Sequence, residues 1–367
     1  MTLTAPVAGA AAELAPSTSL TQGHLPRWAP WALLGASIAV SATVFAVSSL
    51  GQDVADFNIA GTLVVGLLLY MALITVVSTI AESRRKAVDR LMTALVATAF
   101  LIALLPLISL LWTVVANGIH RFDVTFFTHS MRNVVGEGGG LVHALWGTLI
   151  ITGIATVISV PIGLMTSIYL VEYGRGRLAK AITFFVDVMT GIPSIVAGLF
   201  IYSVFSLFMR PGISMGLMGA LALSVLMIPV VVRGSEELLK IVPNELREAS
   251  YALGVPKWLT IMKVVLPTSI AGIMTSIMLA IARVIGETAP LLLTAGYTLS
   301  LNINAFQDQM MTLPVYAYYQ YMMPGSNAQA GLDRAWAAAL TLILIVMVIN
   351  LIARIVTKFF APKTSGR

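Results

Sequence analysis

Residues 91–116 read LMTALVATAFLIALLPLISLLWTVVA, and no charged side chain interrupts them. A helix needs roughly 20 apolar residues to cross the ~30 Å hydrocarbon core of a bilayer. The stretch is therefore long enough to span a membrane as one helix. The same criterion selects seven further stretches, which are 28–50, 60–80, 141–171, 181–209, 215–233, 267–290 and 336–357. The sequence thus predicts an all-α polytopic membrane protein with about eight transmembrane helices.

The composition of the whole chain agrees with this class of protein. Hydrophobic residue types make up 58% of the 367 residues and charged types only 10%, and the mean hydropathy is +0.92. Soluble domains carry about 25% charged residues, so a soluble fold could not bury the apolar surface of this chain. Cysteine is absent, which excludes disulfides and thiolate metal sites.

The basic residues are distributed unequally between alternate loops. Seventeen lie on the side that holds both termini, and they are Arg27, Arg84, Arg85, Lys86, Arg90, Arg175, Arg177, Lys180, Arg233, Lys240, Arg247, Lys257, Lys263, Arg354, Lys358, Lys363 and Arg367. Four lie on the opposite side, and they are Arg121, Arg132, Arg210 and Arg334. Because cytoplasmic loops carry an excess of Lys and Arg, both termini are predicted to be cytoplasmic. The net charge of +6 then follows from topology, and no nucleic-acid partner is needed to explain it.

The loop between spans 215–233 and 267–290 has the pattern of two short helices joined by a turn. Asn244 is a suitable N-cap for the first helix, and Gly254 supplies a C′ residue that tolerates positive φ. Pro256 is placed to start the second helix. The small and apolar residues at helical spacing on one face are Leu246, Ala249, Ala252 and Leu253. Such a face is typical of a docking surface for another protein; the alternative is that both helices lie on the lipid surface.

The same loop resembles the EAA loop of ABC-importer permeases. Glu248-Ala249-Ser250 is followed by three residues, Gly254, nine residues and Val264-Val265-Leu266-Pro267. The family pattern has alanine in place of Ser250 and isoleucine in place of Val264. The resemblance implies a type I ABC-importer permease core of six helices, whose coupling loop contacts a separate ATPase subunit. The docking residues that it implies here are Glu248, Ala249, Ser250, Gly254, Leu266 and Pro267.

Two further segments resemble the phosphate-transport branch of these permeases, and they are DVMTGIPSIVAG at 187–198 and RVIGETAPLLL at 283–293. The resemblance implies a bacterial cell-membrane subunit that forms half of the pathway of an ATP-driven phosphate importer, working by alternating access. It also implies three partners besides membrane lipid: an ABC ATPase that binds ATP and Mg, a second homologous permease, and an extracytoplasmic phosphate-binding protein. The chain itself is expected to hold no cofactor and to catalyse no reaction. Two alternatives remain open, a permease for another oxyanion such as sulfate or molybdate, and an ion-driven secondary transporter.

The resemblance and the span pattern together divide the chain into segments. The predicted segments are a disordered cytoplasmic tail at 1–27, an additional transmembrane hairpin at 28–80, the permease core at 91–357 with its coupling loop at 234–267, and a cytoplasmic tail at 358–367. The hairpin has no counterpart in the six-helix pattern, and the sequence assigns it no role.

Charged and polar residues inside the predicted spans indicate where an anion could cross, because charges within a bilayer are costly and usually functional. Arg283 and Glu287 are four residues apart, so they are predicted to stack on one helix face and to neutralise each other in part. The candidates for the substrate pathway are Arg283, Glu287 and Ser194. A salt bridge that locks two helices is the alternative for the charged pair. The residues assigned a gating or structural role are Asp187, Gly191 and Pro193, and the last two are predicted to break the span 181–209.

Several weaker signals point to no further chemistry. Gly136–Gly140 is glycine-rich but lacks the Gly-Lys-Ser/Thr ending of a nucleotide-binding loop, so a flexible connector is expected. The 4 histidines have no metal-ligand spacing, and no metal site is predicted. The tyrosines expected to form an interfacial aromatic patch are Tyr316, Tyr318, Tyr319 and Tyr321.

Overall fold

The computed structural model describes residues 24–48 and 58–360, except the side chains of 48 and 356–360. The helices in these ranges are α1 (Ala29–Ser48), α2 (Ile59–Ala81), α3 (Arg84–Gly118), α4 (Val124–Thr128), α5 (Val142–Ile168), α6 (Gly176–Thr190), α7 (Ser194–Phe208), α8 (Gly216–Ile241), α9 (Asn244–Ala252), α10 (Lys257–Thr260), α11 (Leu266–Val284), α12 (Ala289–Thr294), α13 (Leu313–Met322) and α14 (Ala328–Phe360). A 3-10 turn covers Ile119–Arg121, and π-helical segments cover Tyr169–Tyr173 and Ile261–Val265. Of the two predicted tails, residues 1–23 and 361–367 lie outside the described residues.

Seven of the described helices are long and apolar enough to cross a membrane, and the α6–α7 pair supplies an eighth when it is taken as one span. This result confirms the predicted all-α polytopic fold with about eight spans. Two spans begin earlier than predicted, since α3 starts at Arg84 and α14 at Ala328. The extra turns at the start of these two helices contain charged residues, so a search for uncharged stretches did not include them.

The predicted span 181–209 consists of two helices, because α6 and α7 meet at an angle of 108°. Pro193 has no N–H to donate and disfavours a helical conformation in the residue before it. The last turn of α6 closes instead through short-range hydrogen bonds, from the Gly191 N–H to the Val188 carbonyl at 3.1 Å and from the Ile192 N–H to the Met189 carbonyl at 3.3 Å. The break at Gly191 and Pro193 was expected, but its sharpness was not.

The chain forms two compact units, Met1–Leu110 and Leu111–Arg367. The boundary between the two units falls within α3. In the first unit, the carboxylate of Glu82 at the end of α2 forms an ion pair with Arg90 of α3 at 2.9 Å. This contact ties the beginning of α3 to the preceding hairpin.

The second unit is built around α8, whose buried side chains contact α5, α7 and α11. Small residues allow these helices to approach closely. A Cβ atom added at Gly163 of α5 would lie 2.7 Å from Val231 of α8, and one at Gly219 of α8 would lie 3.0 Å from Leu291 of α12. Close approach through small residues is the usual way in which membrane helices pack.

Hydrogen bonds also hold the connecting segments of the second unit in place. The Leu313 N–H donates to the Thr148 hydroxyl at 2.7 Å, which joins the start of α13 to α5. Arg334 of α14 is buried and donates to the Gly136 carbonyl at 2.8 Å and to the Gln320 amide oxygen at 2.8 Å. Arg121 donates to the Gly139 carbonyl at 3.0 Å. The glycine-rich segment, expected to be a flexible connector, therefore supplies carbonyls to two arginines.

The aromatic-patch interpretation is wrong for one of its four tyrosines. Tyr316 is fully buried, and its ring packs edge-on against His143 of α5 at a centroid distance of 5.4 Å. Burial raises the pKa of the Tyr316 hydroxyl above its usual value. Tyr318 and Tyr321 do remain exposed, as an interfacial position requires.

Candidate functional site

The loop between α8 and α11 folds as two short helices, α9 and α10, around a glycine turn. Gly254 has φ +74°, its N–H donates to the Tyr251 carbonyl at 2.9 Å, and the Val255 N–H donates to the Ser250 carbonyl at 3.3 Å. These two hydrogen bonds and the positive φ define a Schellman ending of α9. The predicted role of Gly254 in the turn is therefore confirmed.

The predicted start of the first helix is wrong. Pro243 occupies the cap position and Asn244 is the first helical residue, with no side-chain cap hydrogen bond. The Asn244 side chain instead accepts a hydrogen bond from Arg247 at 3.1 Å. Pro256, expected to begin the second helix, is likewise the cap residue before α10.

One face of α9 and the following turn are uncovered. The exposed residues on it include all four that the helical spacing placed together, Leu246, Ala249, Ala252 and Leu253, and Leu253 is 84% exposed. Of the predicted docking residues, Glu248, Ala249 and Gly254 are also exposed. These four neighbouring side chains together form an exposed apolar surface, and such a surface is typical of a protein interaction site.

The remaining predicted docking residues are placed differently. Ser250 is buried, and its hydroxyl shares a 2.8 Å hydrogen bond with the hydroxyl of Thr260 in α10. Ser250 therefore holds the two short helices together and does not present a surface. Leu266 is half-buried against the core, and Pro267 is exposed in the first turn of α11.

The α9 helix is anchored through Arg247, a residue that the sequence did not single out. Its guanidinium donates to the Glu172 carboxylate at 3.0 Å, to the Val242 carbonyl at 2.6 Å and to the Leu239 carbonyl at 2.9 Å. Lys257 donates to the Glu172 carbonyl and lies 4.9 Å from the centre of the Tyr173 ring. Arg247 thus connects α9 to the end of α8 and to the π-helical segment after α5.

A second ionic network joins α6 to α8. Arg233 of α8 pairs with Asp187 of α6 and, at 2.8 Å, with Glu236 one turn further along its own helix. Glu236 also accepts from Lys240 at 2.7 Å. The predicted structural or gating residue Asp187 therefore lies in an ion pair, four residues before the break at Gly191. This partner could not be predicted from the sequence, because Arg233 is 46 residues away along the chain.

The predicted stacking of Arg283 and Glu287 on one helix face is wrong. The α11 helix ends at Val284, and the Glu287 N–H donates to the Val284 carbonyl at 3.1 Å in a tight turn. In the part of the chain that the structure describes, no ion pair within 4.0 Å joins Arg283 to Glu287. The chain turns at Gly286, so the two residues do not lie on one helix. Arg283 is exposed, and Glu287 is half-buried.

Ser194 is the first residue of α7 and is half-buried. The α7 helix packs against α12, because a Cβ atom added at Gly198 would lie 2.7 Å from the Cα of Pro290. Each of these two helices directly follows a break in the chain, at 191–193 and at 285–288. The structure thus packs together the two helices that follow the breaks. In the described part of the chain, no hydrogen bond joins Ser194 to Arg283 or Glu287.

These features define a polytopic helical membrane protein with broken spans and an exposed helical loop that is tied to the ends of its spans. Residues 159–366 match the family of binding-protein-dependent transport system inner membrane components. The chain belongs to this family.

Related proteins cover most of the chain. It is 49% identical over 288 residues to the phosphate transport system permease protein PstA 1 of Mycobacterium tuberculosis, a match that covers 76% of this chain and 91% of that protein. It is 40% identical over 298 residues to the PstA permease of Yersinia pestis, covering 78% of this chain and 96% of that protein.

Solved structures share the fold at lower identity. A chain of the inward-facing MetNI methionine ABC transporter is 21% identical, with a TM-score of 0.50 over 60% of this chain and 96% of that chain. A chain of a bacterial alginate ABC transporter, solved with its periplasmic protein bound to an alginate pentasaccharide, is 13% identical, with a TM-score of 0.52 over 72% of this chain and 93% of that chain. These likenesses establish the type I ABC-importer permease fold.

The Arg247 anchor leads to a testable expectation. Arg247→Lys retains the charge, but a single ammonium group cannot replace a guanidinium that bonds a carboxylate and two carbonyls at once. Loss of these bonds should weaken the local order of α9, so its amide protons should exchange roughly tenfold faster or more. Hydrogen exchange followed by mass spectrometry measures this rate.

Two controls accompany the measurement. Arg175→Lys changes an exposed arginine in the same way and should leave α9 unchanged. The amides of α13 should exchange at the same rate in both variants. Unaltered protection of α9 in Arg247→Lys would show that Arg247 does not anchor the loop.

Proposed function

We propose that this chain is the transmembrane permease subunit of an ATP-driven ABC importer of inorganic phosphate and that it forms half of the translocation pathway. The observation that carries the proposal is the 49% identity over 288 residues to a permease that is named for phosphate transport. Alternating access fits the broken helices, since transporters place substrate sites where spans are interrupted. Sulfate or molybdate transport is the competing assignment, and the uptake experiment below distinguishes them.

The exposed face of α9, with Leu253 at its tip, is the proposed docking surface for an ABC ATPase. The chain has no nucleotide-binding motif in its sequence, so ATP and Mg are assigned to the ATPase and the chain itself is assigned no catalytic role. Glu248 and Ala249 lie on the uncovered side of α9, where a partner could contact them. Ser250 and Arg247 hold the helix from its inner side.

Arg283 is the proposed phosphate contact on this half of the pathway. A planar guanidinium makes two parallel charge-assisted hydrogen bonds to an oxyanion. Its side chain is exposed and forms no ion pair with Glu287, so its donors are directed to the surface of this subunit. Ser194 begins a helix of 15 residues, and a hydroxyl beside a helix N-terminus is a second group suited to a phosphate oxygen.

The proposed complex contains a second, PstC-like permease and an extracytoplasmic phosphate-binding protein. The exposure of Arg283 supports the second permease, because a pathway charge must be shielded from lipid by another subunit. Both termini and α9 are assigned to the cytoplasmic side of a bacterial cell membrane by the distribution of basic residues. The segments that hold Arg121 and Arg334 are assigned to the opposite side.

The proposed function is tested by reconstituting the chain with its ATPase and second permease and by measuring the uptake of labelled phosphate. Uptake should require ATP and the binding protein, and unlabelled phosphate should compete while sulfate and molybdate should not. Competition by sulfate or molybdate at equal concentration would move the substrate assignment to another oxyanion. Uptake that follows an ion gradient without ATP would support a secondary transporter.

Docking through α9 predicts the behaviour of a glycine variant. Gly254→Asp adds a side chain at φ +74° in open space and places a charge on the proposed docking surface. The backbone strain costs about 1–2 kcal/mol, and the carboxylate opposes burial under a partner. The variant should insert into the membrane but retain much less ATPase during copurification.

Gly212→Asp is the matched control, because Gly212 has φ +79° and equally open surroundings in the connection between α7 and α8. It carries the same strain and charge but should copurify with the ATPase normally. Equal ATPase retention by the two variants would rule out the docking surface.

Arg283 as a phosphate contact predicts a graded series of variants. Arg283→Lys keeps the charge but cannot make two parallel hydrogen bonds to an oxyanion, so phosphate uptake should fall roughly tenfold. Arg283→Gln removes the charge and should reduce uptake further. Because the two side chains form no ion pair, adding Glu287→Gln should not restore transport.

Uptake is compared at equal amounts of protein in the membrane, with Arg210→Gln as a control for loss of an exposed arginine. Near-normal uptake by the double variant would remove Arg283 from the substrate pathway and leave it a structural role.

The assigned orientation predicts the location of two reporter fusions. A reporter inserted after Gly254 should report the cytoplasm, and one inserted near Asn327, between α13 and α14, should report the exterior. The expectation follows from the excess of basic residues on the side of α9. An exchange of the two results would invert the topology and place α9 out of reach of an ATPase.

A further inference from the structure

The first unit contains an elongated groove between its helices. The α1 and α2 helices pack closely, since the Ser41 hydroxyl donates to the Thr62 carbonyl at 2.8 Å and a Cβ atom at Gly66 would lie 3.1 Å from the Cα of Ile38. The part of α3 that belongs to the first unit, up to Leu110, approaches α1 and α2 much less closely than these two helices approach each other. A cavity of about 360 Å³ lies between them, lined by residues of all three helices.

The groove has an apolar lining and a definite length. Its α3 side runs from Arg90 through Ala94 and Ala97 to Leu101, so it extends ~16 Å along the helix at ~1.5 Å per residue. One leaflet of the hydrocarbon core is about 15 Å deep. The groove therefore matches the depth that one acyl chain occupies in a bilayer.

Basic side chains gather at the Arg90 end of the groove. The cationic residues there are Arg27, Arg84, Arg85, Lys86 and Arg90, and the anionic residues are Glu82 and Asp89. Burial raises the pKa of Glu82, but hydrogen bonds from the Leu25 N–H, Arg90 and Ser78 outweigh it and lower the pKa to about 2. Glu82 thus remains ionised and offsets Arg90 alone, which leaves a local excess of positive charge.

The same end has the features of a membrane interface. Trp31 in the first turn of α1 lines the groove and is 74% exposed, and tryptophan is enriched where spans leave the hydrocarbon region. Lys86 lies one turn before Arg90 on the same face of α3, so the basic cluster continues from the mouth of the groove towards the aqueous phase.

We propose that this groove binds an anionic phospholipid, with one acyl chain between α3 and the α1–α2 pair and the phosphate at Arg84, Arg85 and Lys86. Basic pockets between membrane helices recognise anionic headgroups in this way. Apolar space within a bilayer fills with lipid when no protein covers it. The groove lies before residues 159–366, the part of the chain that matches the family model.

Location is tested by photolabelling of the full chain in vesicles of phosphatidylethanolamine and phosphatidylglycerol. A phosphatidylglycerol with a diazirine on its acyl chain should label the groove residues of α1, α2 and α3. Unlabelled phosphatidylglycerol should compete and phosphatidylethanolamine should not. Labelling spread evenly over all spans, or equal competition by both lipids, would overturn the proposal.

Two pairs of variants test the headgroup and the acyl chain separately. Arg84→Gln with Arg85→Gln should weaken labelling by phosphatidylglycerol roughly thirtyfold, since each basic residue contributes about fivefold. Arg175→Gln with Arg177→Gln removes two exposed charges at the start of α6 and should have no effect.

Ala97→Phe places a ring in the groove without displacing a buried neighbour and should abolish labelling, whereas Val96→Phe on the adjacent, exposed face of α3 should not. Full labelling of Ala97→Phe, or equal loss in both arginine pairs, would exclude the groove as a lipid site. Occupation by another protein's helix would appear as crosslinks to protein in place of lipid.

Discussion

Within a bilayer, every backbone N–H and carbonyl must find a partner inside the protein. This constraint limits where the chain can depart from a continuous helix. Both breaks in the spans of the second unit are closed by short-range hydrogen bonds, from Gly191 to Val188 and from Glu287 to Val284. Each break contains a glycine, and a proline follows within a few residues, because these residue types combine a tight turn with few unpaired backbone groups.

Arginine side chains that the fold takes out of water need partners for the same physical reason, because an unpaired polar group costs free energy wherever water is excluded. Both guanidinium groups donate to backbone carbonyls, Arg247 also to Glu172 and Asn244 and Arg334 also to Gln320, so few of their donors are left unpaired. A lysine could not replace either arginine, because its three N–H donors all lie on one nitrogen, whereas a guanidinium spreads five donors over three nitrogens in one plane. The arginines therefore act as connectors between segments that are far apart in the sequence, and they fix the loops that a hydropathy pattern leaves undefined.

Much of this arrangement could be predicted from the sequence, and the omissions have physical causes. Long uncharged stretches predicted the spans, and Gly254 predicted the turn after α9, because both depend on local composition. The ion pairs of Asp187 with Arg233 and of Glu172 with Arg247 join residues 46 and 75 positions apart, and no local pattern reports such distances. The prediction that Arg283 stacks on Glu287 was wrong because it required the helix to continue to Glu287, whereas the chain turns at Gly286.

The network also indicates how a movement at α9 could reach the broken helices. Arg247 ties α9 to the Leu239 carbonyl of α8, and Arg233, less than two turns earlier on α8, pairs with Asp187 of α6. Three residues later α6 ends at a 108° bend into α7, which packs through Gly198 against α12. These contacts form a continuous series from α9 through α8, α6 and α7 to α12. Coupling requires an element with two arrangements, and the bend between α6 and α7 is suited to that role, because only Ile192 and its two neighbours need to change their backbone angles for α7 to move.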